Sequence, residues 1–405
     1  MTHSEAAAAE PLPTIPTAAV PLLSLAAFAS GISLRVCDPQ LPLFAREFGV
    51  SLGNASLVIT FFSVAYGLSQ LFFGPLGDRY GKYFVVACGS AACAVTAILC
   101  AVAPSFPMLL AARLMAGATA ASLIPLSMAW IGDVVPYQRR QPVLARFLIG
   151  QILGLATGVL VGGAAADRMN WRMPFFGVAV VFVLVALSLL WLNRRLPAHA
   201  RASRREQAFS MRRMASEFGQ VLALPWARTL LLAVFLEGAF LYGAFAFIAS
   251  HMHEHFNLSL TAAGALVMLF GLGGFLFAML SATLVRRLGE RGLAFWGGLF
   301  ITAALTGIGV APVWWWAVPG CLFAGIGFYM LHNTLQTNAT QMAPERRGAA
   351  VSAFACCFFL GQSAGVGAAG LLVGAMGTAA VMLSGAVGIL ILSVRMSRRL
   401  PGRVV

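Results

Sequence analysis

Long apolar runs alternate with short polar breaks along most of this chain. The runs cover 19–41, 55–76, 83–103, 106–131, 143–165, 173–193, 227–249, 260–285, 293–311, 314–340, 348–373 and 376–394. A helix rises about 1.5 Å per residue, so a bilayer core of about 30 Å takes roughly 20 apolar residues. Strands of a membrane barrel would instead alternate apolar and polar positions over about ten residues. These runs are continuous, and helices satisfy their own backbone in lipid. The pattern predicts an all-α membrane protein with twelve transmembrane helices.

The polar breaks give the organisation. Residues 1–18 form a tail, 19–193 a first six-helix bundle, 194–226 a basic linker, 227–394 a second bundle and 395–405 a second tail. The second bundle repeats the first. Arg79-x-Gly81 recurs as Arg287-x-Gly289, Leu114-x-Ala116-Gly117 as Leu322-x-Ala324-Gly325, and Pro136 as Pro344, all at an offset of 208. Gly150-Gln151-x-x-Gly154 recurs as Gly361-Gln362-x-x-Gly365 at an offset of 211. Two related six-helix bundles with a cavity between them are a transporter architecture.

Composition sharpens this. The chain is 60% hydrophobic and 10% charged, against about 25% charged in soluble domains. No soluble domain of useful size remains. The basic residues are placed unevenly: with the N-terminus inside, 22 of the 27 lie in cytoplasmic segments and three, Arg46, Arg168 and Arg172, outside. Both termini are therefore expected in the cytoplasm. The net charge of +14 then reflects topology and anionic lipid, with no need for a nucleic-acid partner. Residues 1–18 lack a basic region, so no cleaved signal peptide is expected. The Arg-over-Lys bias suits a bacterial genome, hence a bacterial inner membrane. All seven cysteines fall in apolar runs, without metal-ligand spacing or a disulfide framework.

The repeat separates scaffold from function. Arg113 aligns with Cys321, Asp78 with Arg286, Asp38 with Ala246 and Glu237 with Ala29. None of these charges is shared by both bundles, so none is needed merely to build one. A charge at mid-bilayer costs about 2.5–3.5 kcal/mol on insertion scales, and such residues mark pathways and relays. Asp38 and Arg113 should lie at similar depth in the outer half, and Glu237 near the middle. Asp38 could instead only neutralise Arg35, one turn before it. Glu237 could bind a cation, carry a proton, or tie two helices as a neutral acid.

The segment after the second run reads Gly74-Pro-Leu-Gly77-Asp78-Arg79-Tyr-Gly81-Lys82. It resembles the loop signature of the major facilitator superfamily, G-x-L-x-D-R-x-G-[RK]. The second-half copy keeps less of it, with Ala282, Arg286 and Glu290 at the matching places. Three further segments resemble the twelve-helix drug:proton antiporters of that superfamily. Asp38-Pro-Gln-Leu-Pro42 is similar to the pattern D-x-x-x-P. Arg113-Leu-Met-Ala-Gly117 is similar to R-x-x-x-G. The ladder Gly150, Gly154, Gly158, Gly162, Gly163 resembles G-P-x-x-G-G, with Val159 where that signature has proline. The resemblance implies a conformational latch at residues 74–82, proton coupling through Arg113, and proton-coupled antiport of drugs or small organic molecules. Asp38 and Glu237 are candidate proton carriers beside it. The glycines at 117, 150, 154, 158, 162 and 163 are expected to bring helices together.

Polar and aromatic positions inside the runs are candidate cavity residues: Arg35, Gln151, Asn333, Gln336 and Gln362, with Tyr66, Phe235, Tyr242, Phe328 and Tyr329. Trp314, Trp315 and Trp316 read as an interface belt. His251, His253 and His255 are expected in an outer loop. Gly77 to Lys82 fails as a phosphate loop, because Leu76 and Tyr83 stand where Gly and Ser or Thr are required. The chain is thus expected to be a monomeric, non-enzymatic carrier of a small molecule and protons, without cofactor or metal. A proton symporter or facilitator for a sugar or organic acid is the alternative. A non-transporting membrane sensor is a third reading.

Overall fold

The structure, a computed structural model, describes residues 16–168, 170–201 and 211–400. Ten helical runs among them are long and apolar enough to cross a membrane. We number them, with one shorter amphipathic helix, in chain order. They are α1 Ala19–Phe48, α2 Leu52–Tyr80, α3 Lys82–Ala101, α4 Phe106–Val134, α5 Arg139–Arg168 and α6 Met173–Arg195. After the connector come α7 Met211–Ala223, α8 Pro225–Phe256, α9 Leu260–Val310, α10 Trp314–Gln341 and α11 Pro344–Arg399. No strand occurs among the described residues.

At 51 and 56 residues, α9 and α11 are about twice the length a crossing needs. Each breaks at a glycine. Gly289 has φ 62° and ψ 179°, and Gly377 has φ 80° and ψ 175°. Side chains disfavour such backbone angles, and glycine does not. Counting each broken run as two rods is consistent with twelve crossings in two pseudo-symmetric bundles. We call the side where α1 begins and α11 ends the tail side, and the opposite side distal.

Two boundaries differ from expectation. The first run does not stop near residue 41. After Ala19–Arg35 it tightens into a 3-10 turn over Asp38–Gln40 and resumes as Leu41–Phe48. Pro39 and Pro42 stand in the first turns of these segments, where a missing amide costs nothing. On the distal side of α8 the residues expected as a loop are helical, over Ile248–Phe256. This helix ends at Asn257, which takes the left-handed conformation at φ 53°.

The repeat is visible in packing. A Cβ at Gly117 would strike the backbone of Phe62, and one at Gly325 the backbone of Phe270. Both members of that pair are 208 apart. Gly154 meets Phe28 while Gly365 meets Ala239, and Gly150 meets Ser24 while Gly361 meets Phe235. These pairs keep the offset of 211. The same glycine-on-backbone contacts therefore hold α1 to α5 and α8 to α11 in the two halves.

The halves touch on the distal side and part toward the tail side. On α2, Gly53 lies against Gly370, the Thr60 carbonyl accepts from Ser363 Oγ at 3.2 Å, and a Cβ at Gly67 would stand 3.0 Å from Phe359. One turn-pair further, Gly74 has nothing within 4 Å. On α9, Gly264 would reach the Val159 carbonyl at 2.7 Å, whereas Gly271 finds Ala156 no closer than 3.6 Å. Both seams widen in the same sense, as a wedge open to the tail side. The helix α7 packs on α8 and α11.

Candidate functional site

Two buried arginines organise the distal half of α1. Arg35 Nη1 donates to Asp38 Oδ2 at 3.3 Å, and both side chains are buried. This is the local ion pair that the spacing allowed. The 3-10 turn after Cys37 swings Asp38 back toward Arg35, one turn earlier. Asp38 Oδ1 has no protein partner. The Arg35 guanidinium lies 4.2 Å from the Tyr242 ring centroid and 5.2 Å from that of Phe245, so a cation from the first half rests on rings of α8. A desolvated contact of this kind contributes about 2 kcal/mol.

Arg113 is fully buried on α4. Its Nε donates to the Val58 carbonyl at 3.2 Å, its Nη1 to the Ser33 carbonyl at 3.0 Å, and its charge sits 4.2 Å from the Phe62 ring centroid. Ser33 belongs to the last turn of its helical segment, where carbonyls lose helical partners. The Nη2 of Arg113 has no protein partner. Arg113 therefore bonds carbonyls and a ring, and stands beside the Arg35–Asp38 pair without joining it.

Glu237 lies near mid-depth and is completely buried. Its Oε2 pairs with His332 Nδ1 at 2.8 Å, from α10. Its Oε1 has no protein partner. Glu237 ends a regular α segment, and Gly238–Tyr242 continues as a π turn. Such turns are rare and recur at functional sites. Rings surround the pair. His332 stacks on Phe328 at 4.8 Å and lies 4.6 Å from Phe358. Tyr242 makes edge contacts with Phe328 and Phe358, both at 5.6 Å. Tyr242 thus links the Glu237 cluster to Arg35. The His332 side chain is 14% exposed, so accessible space reaches the imidazole, while the acid behind it is fully covered.

At the tail side, Lys82 Nζ bonds Asp133 of α4 at 2.5 Å and Asp78 at 3.1 Å. Gly81 has φ 91°, which lets α2 turn directly into α3. Arg79 lies over the Tyr80 ring at 5.2 Å. Trp130 Nε1 donates to the Ala200 carbonyl at 2.9 Å, fixing the start of the connector beside this turn. The second half carries a similar brace, Asn338 Nδ2 to Glu290 Oε2 at 2.8 Å, beside Gly289. The ion pairs of Asp78 and Lys82 lie within the first half. In this tail-open form they do not bridge the two halves.

Residues 23–366 match the family model of the Major Facilitator Superfamily. The chain belongs to this superfamily. A similar protein is YceJ of Bacillus subtilis (strain 168), an uncharacterized MFS-type transporter, 26% identical over 349 residues, 85% of this chain and 86% of that one. The multidrug export protein EmrB of Escherichia coli (strain K12) is 32% identical over 166 residues, 40% of this chain and 32% of that one. A variant of the nucleoside transporter NupG has the same fold, with a TM-score of 0.77 at 15% identity, covering 95% of this chain and 99% of that chain. A bacterial homolog of the human lysosomal transporter Spinster, inward-facing and unoccupied, matches with a TM-score of 0.72 at 19% identity, covering 94% and 96%. The protein is a multi-pass membrane transporter of a superfamily whose members carry small molecules.

Within this facilitator fold the expected cavity residues separate. Arg35, Tyr66, Tyr242, Phe328 and Gln362 are buried. Tyr66 packs on Phe359 at 4.2 Å, and Gln362 Nε2 donates to Ser63 Oγ at 3.0 Å. Both contacts cross between the halves, so these two residues build the closed seam rather than an open lining. Gln151, Phe235, Tyr329 and Asn333 are half-buried, and Gln336 is exposed on the tail side. His251 is buried, with Nδ1 on Thr378 Oγ1 at 2.8 Å and Nε2 on the Ile308 carbonyl at 3.2 Å. It is a packing residue of the distal side and not part of a solvated loop. Trp315 and Trp316 are exposed at the start of α10. The pairing of His332 with Glu237 is the feature that sequence reading missed. The available signal was depth: both residues fall near the middle of their runs.

Proposed function

We propose that this transporter exports small organic molecules in exchange for protons, by alternating access between its two halves. The termini lie in the cytoplasm of a bacterial inner membrane, so the tail-open form described above faces inward and admits cargo. The observation that carries the reading is the Glu237–His332 pair. A carboxylate with one oxygen held and one unpartnered, at mid-depth among rings, can exchange its histidine for a proton or for cargo. Asp38 is built alike, with one oxygen on Arg35 and one unpartnered. Arg113, without a carboxylate of its own, biases the potential around Asp38. Residues 74–82 act as the tail-side latch, engaged across the halves only when that side closes. The similarity to a multidrug export protein over 166 residues supports export.

Everted vesicles with a pH dye test the reading. A panel of toxic organic compounds is screened for uptake driven by an acidic lumen. With a transported compound, Asp38→Asn and Glu237→Gln are each expected to reduce cargo-induced proton release at least tenfold. Release at the wild-type rate in both variants, or uptake indifferent to the pH gradient, refutes antiport through these acids.

A further inference from the structure

Asp167, at the distal end of α5, crosses the seam to the first turn of α9. Its Oδ1 accepts from the Leu260 amide at 3.0 Å. Its Oδ2 accepts from the Thr261 amide at 2.6 Å and the Thr261 hydroxyl at 2.7 Å. Ser259 caps the same turn from within α9, accepting from the Ala262 amide at 3.1 Å. Two amides that a helix start leaves unpaired are thus satisfied by a carboxylate from the other half. The N-terminus also carries about half a positive charge. Directly beneath, Gly163 lies on the Leu260 backbone and Gly264 on the Val159 carbonyl.

The repeat supplies an internal comparison. At the offset of 211, Asp167 corresponds to Thr378; at 208, Ser259 corresponds to Ser51. Ser51 caps α2 as Ser259 caps α9, accepting from the Asn54 amide at 3.1 Å. Thr378, however, turns to His251 within its own half, and that seam closes on the backbones of Gly53 and Gly370. The acid is therefore not needed to build either bundle. It serves one of the two distal seams.

We propose that Asp167 is a releasable clasp of the distal gate, which holds the tail-open form shut on its far side and must let go for that side to open. The clasp positions the halves; it touches neither cargo nor proton. It rests on the alternating-access reading alone, so its test needs no substrate.

The reporter is Val159→Cys, a position 3% exposed under the clasp. Purified protein in nanodiscs is treated with a polar maleimide, and labelling is read by mass spectrometry at that peptide, leaving the native cysteines in place. Loss of a helix-capping side chain is expected to raise the labelling rate about tenfold in Asp167→Ala. Asp167→Asn, which keeps an acceptor without charge, is expected to fall between. Asp167→Glu restores the carboxylate and returns the rate to within about threefold of wild type. Simple fraying of α9 would also expose the reporter, so a second arm adds a Thr60→Cys/Ser363→Cys disulfide across the other seam. If the halves rock as bodies, that cross-link suppresses the rise. No rise in either Asp167→Ala or Asp167→Asn, or a rise that persists with the disulfide formed, overturns the proposal. Should Asp167→Ala fail to fold, Asp167→Asn carries the same comparison.

Discussion

The pairing of Glu237 with His332 makes an asymmetric prediction about removing either partner. His332→Phe keeps a ring in the stack on Phe328 and Phe358 but deletes Nδ1. Glu237 is then left fully buried with both oxygens unpartnered. Breaking a buried pair from one side typically costs about 3–5 kcal/mol, because an uncompensated charge remains. Glu237→Met removes the charge instead, filling similar volume. What it loses is a bond to a charged group, of about 1.5–3 kcal/mol, and the imidazole left behind, unlike Glu237, is not sealed from accessible space. The double variant has no stranded charge. A double-mutant cycle should therefore give a coupling of about 2 kcal/mol, roughly thirtyfold in an equilibrium constant, with His332→Phe the worse single change. Equilibrium unfolding in mixed micelles, followed by circular dichroism, measures all four proteins. Acid supplies a second check: protonating the stranded Glu237 removes its charge, so the deficit of His332→Phe should shrink as pH falls. Single effects that add within about 0.5 kcal/mol, or a deficit that grows in acid, would refute the pair as described.

Other expectations concern the scaffold. Gly154→Ala forces α1 off α5 at Phe28 and should cost about 1–3 kcal/mol by overpacking, whereas Gly374→Ala, in a helix with nothing within 4 Å, should leave the unfolding midpoint unchanged or raise it slightly. Gly81→Ala places a side chain at φ 91° and should cost about 1–3 kcal/mol, read as a lower melting temperature in detergent. Trp130→Phe loses the bond to the Ala200 carbonyl, about 1 kcal/mol, and should speed tryptic cleavage after Arg201.

The helical architecture was legible because lipid leaves a chain few options, and runs of twenty apolar residues state the answer directly. The repeat was legible for a related reason. Gly117 and Gly325 are constrained by backbones, and a position that admits only glycine preserves its spacing. The charges were legible as unusual but not as partnered. Asp38 has its partner one turn away, and the sequence could name Arg35. Glu237 has its partner 95 residues on, on a helix whose rotation no periodicity reveals, since the spans are apolar on nearly every face. The same blindness hid Asp167, whose partners are two backbone amides and the Thr261 hydroxyl, 94 residues on, with no sequence signature that pairs them. Tyr66 and Gln362 look like cavity residues because they are polar or aromatic inside a span. In this form, closed on the distal side, both face a seam.

The connector has a mechanical meaning. It is fastened to the first half where Ala200 meets Trp130 and to the second half where α7 lies on α8 and α11. Ten residues lie between Ala200 and Met211, making eleven steps along the chain, and a fully stretched chain spans at most about 3.3–3.6 Å per step, or roughly 38 Å here. That length is a ceiling on the stroke: the mouth can gape only until its own tether draws taut. If the halves rock as proposed, shortening the tether is expected to narrow the tail-side opening without touching any residue of the Glu237 or Asp38 clusters.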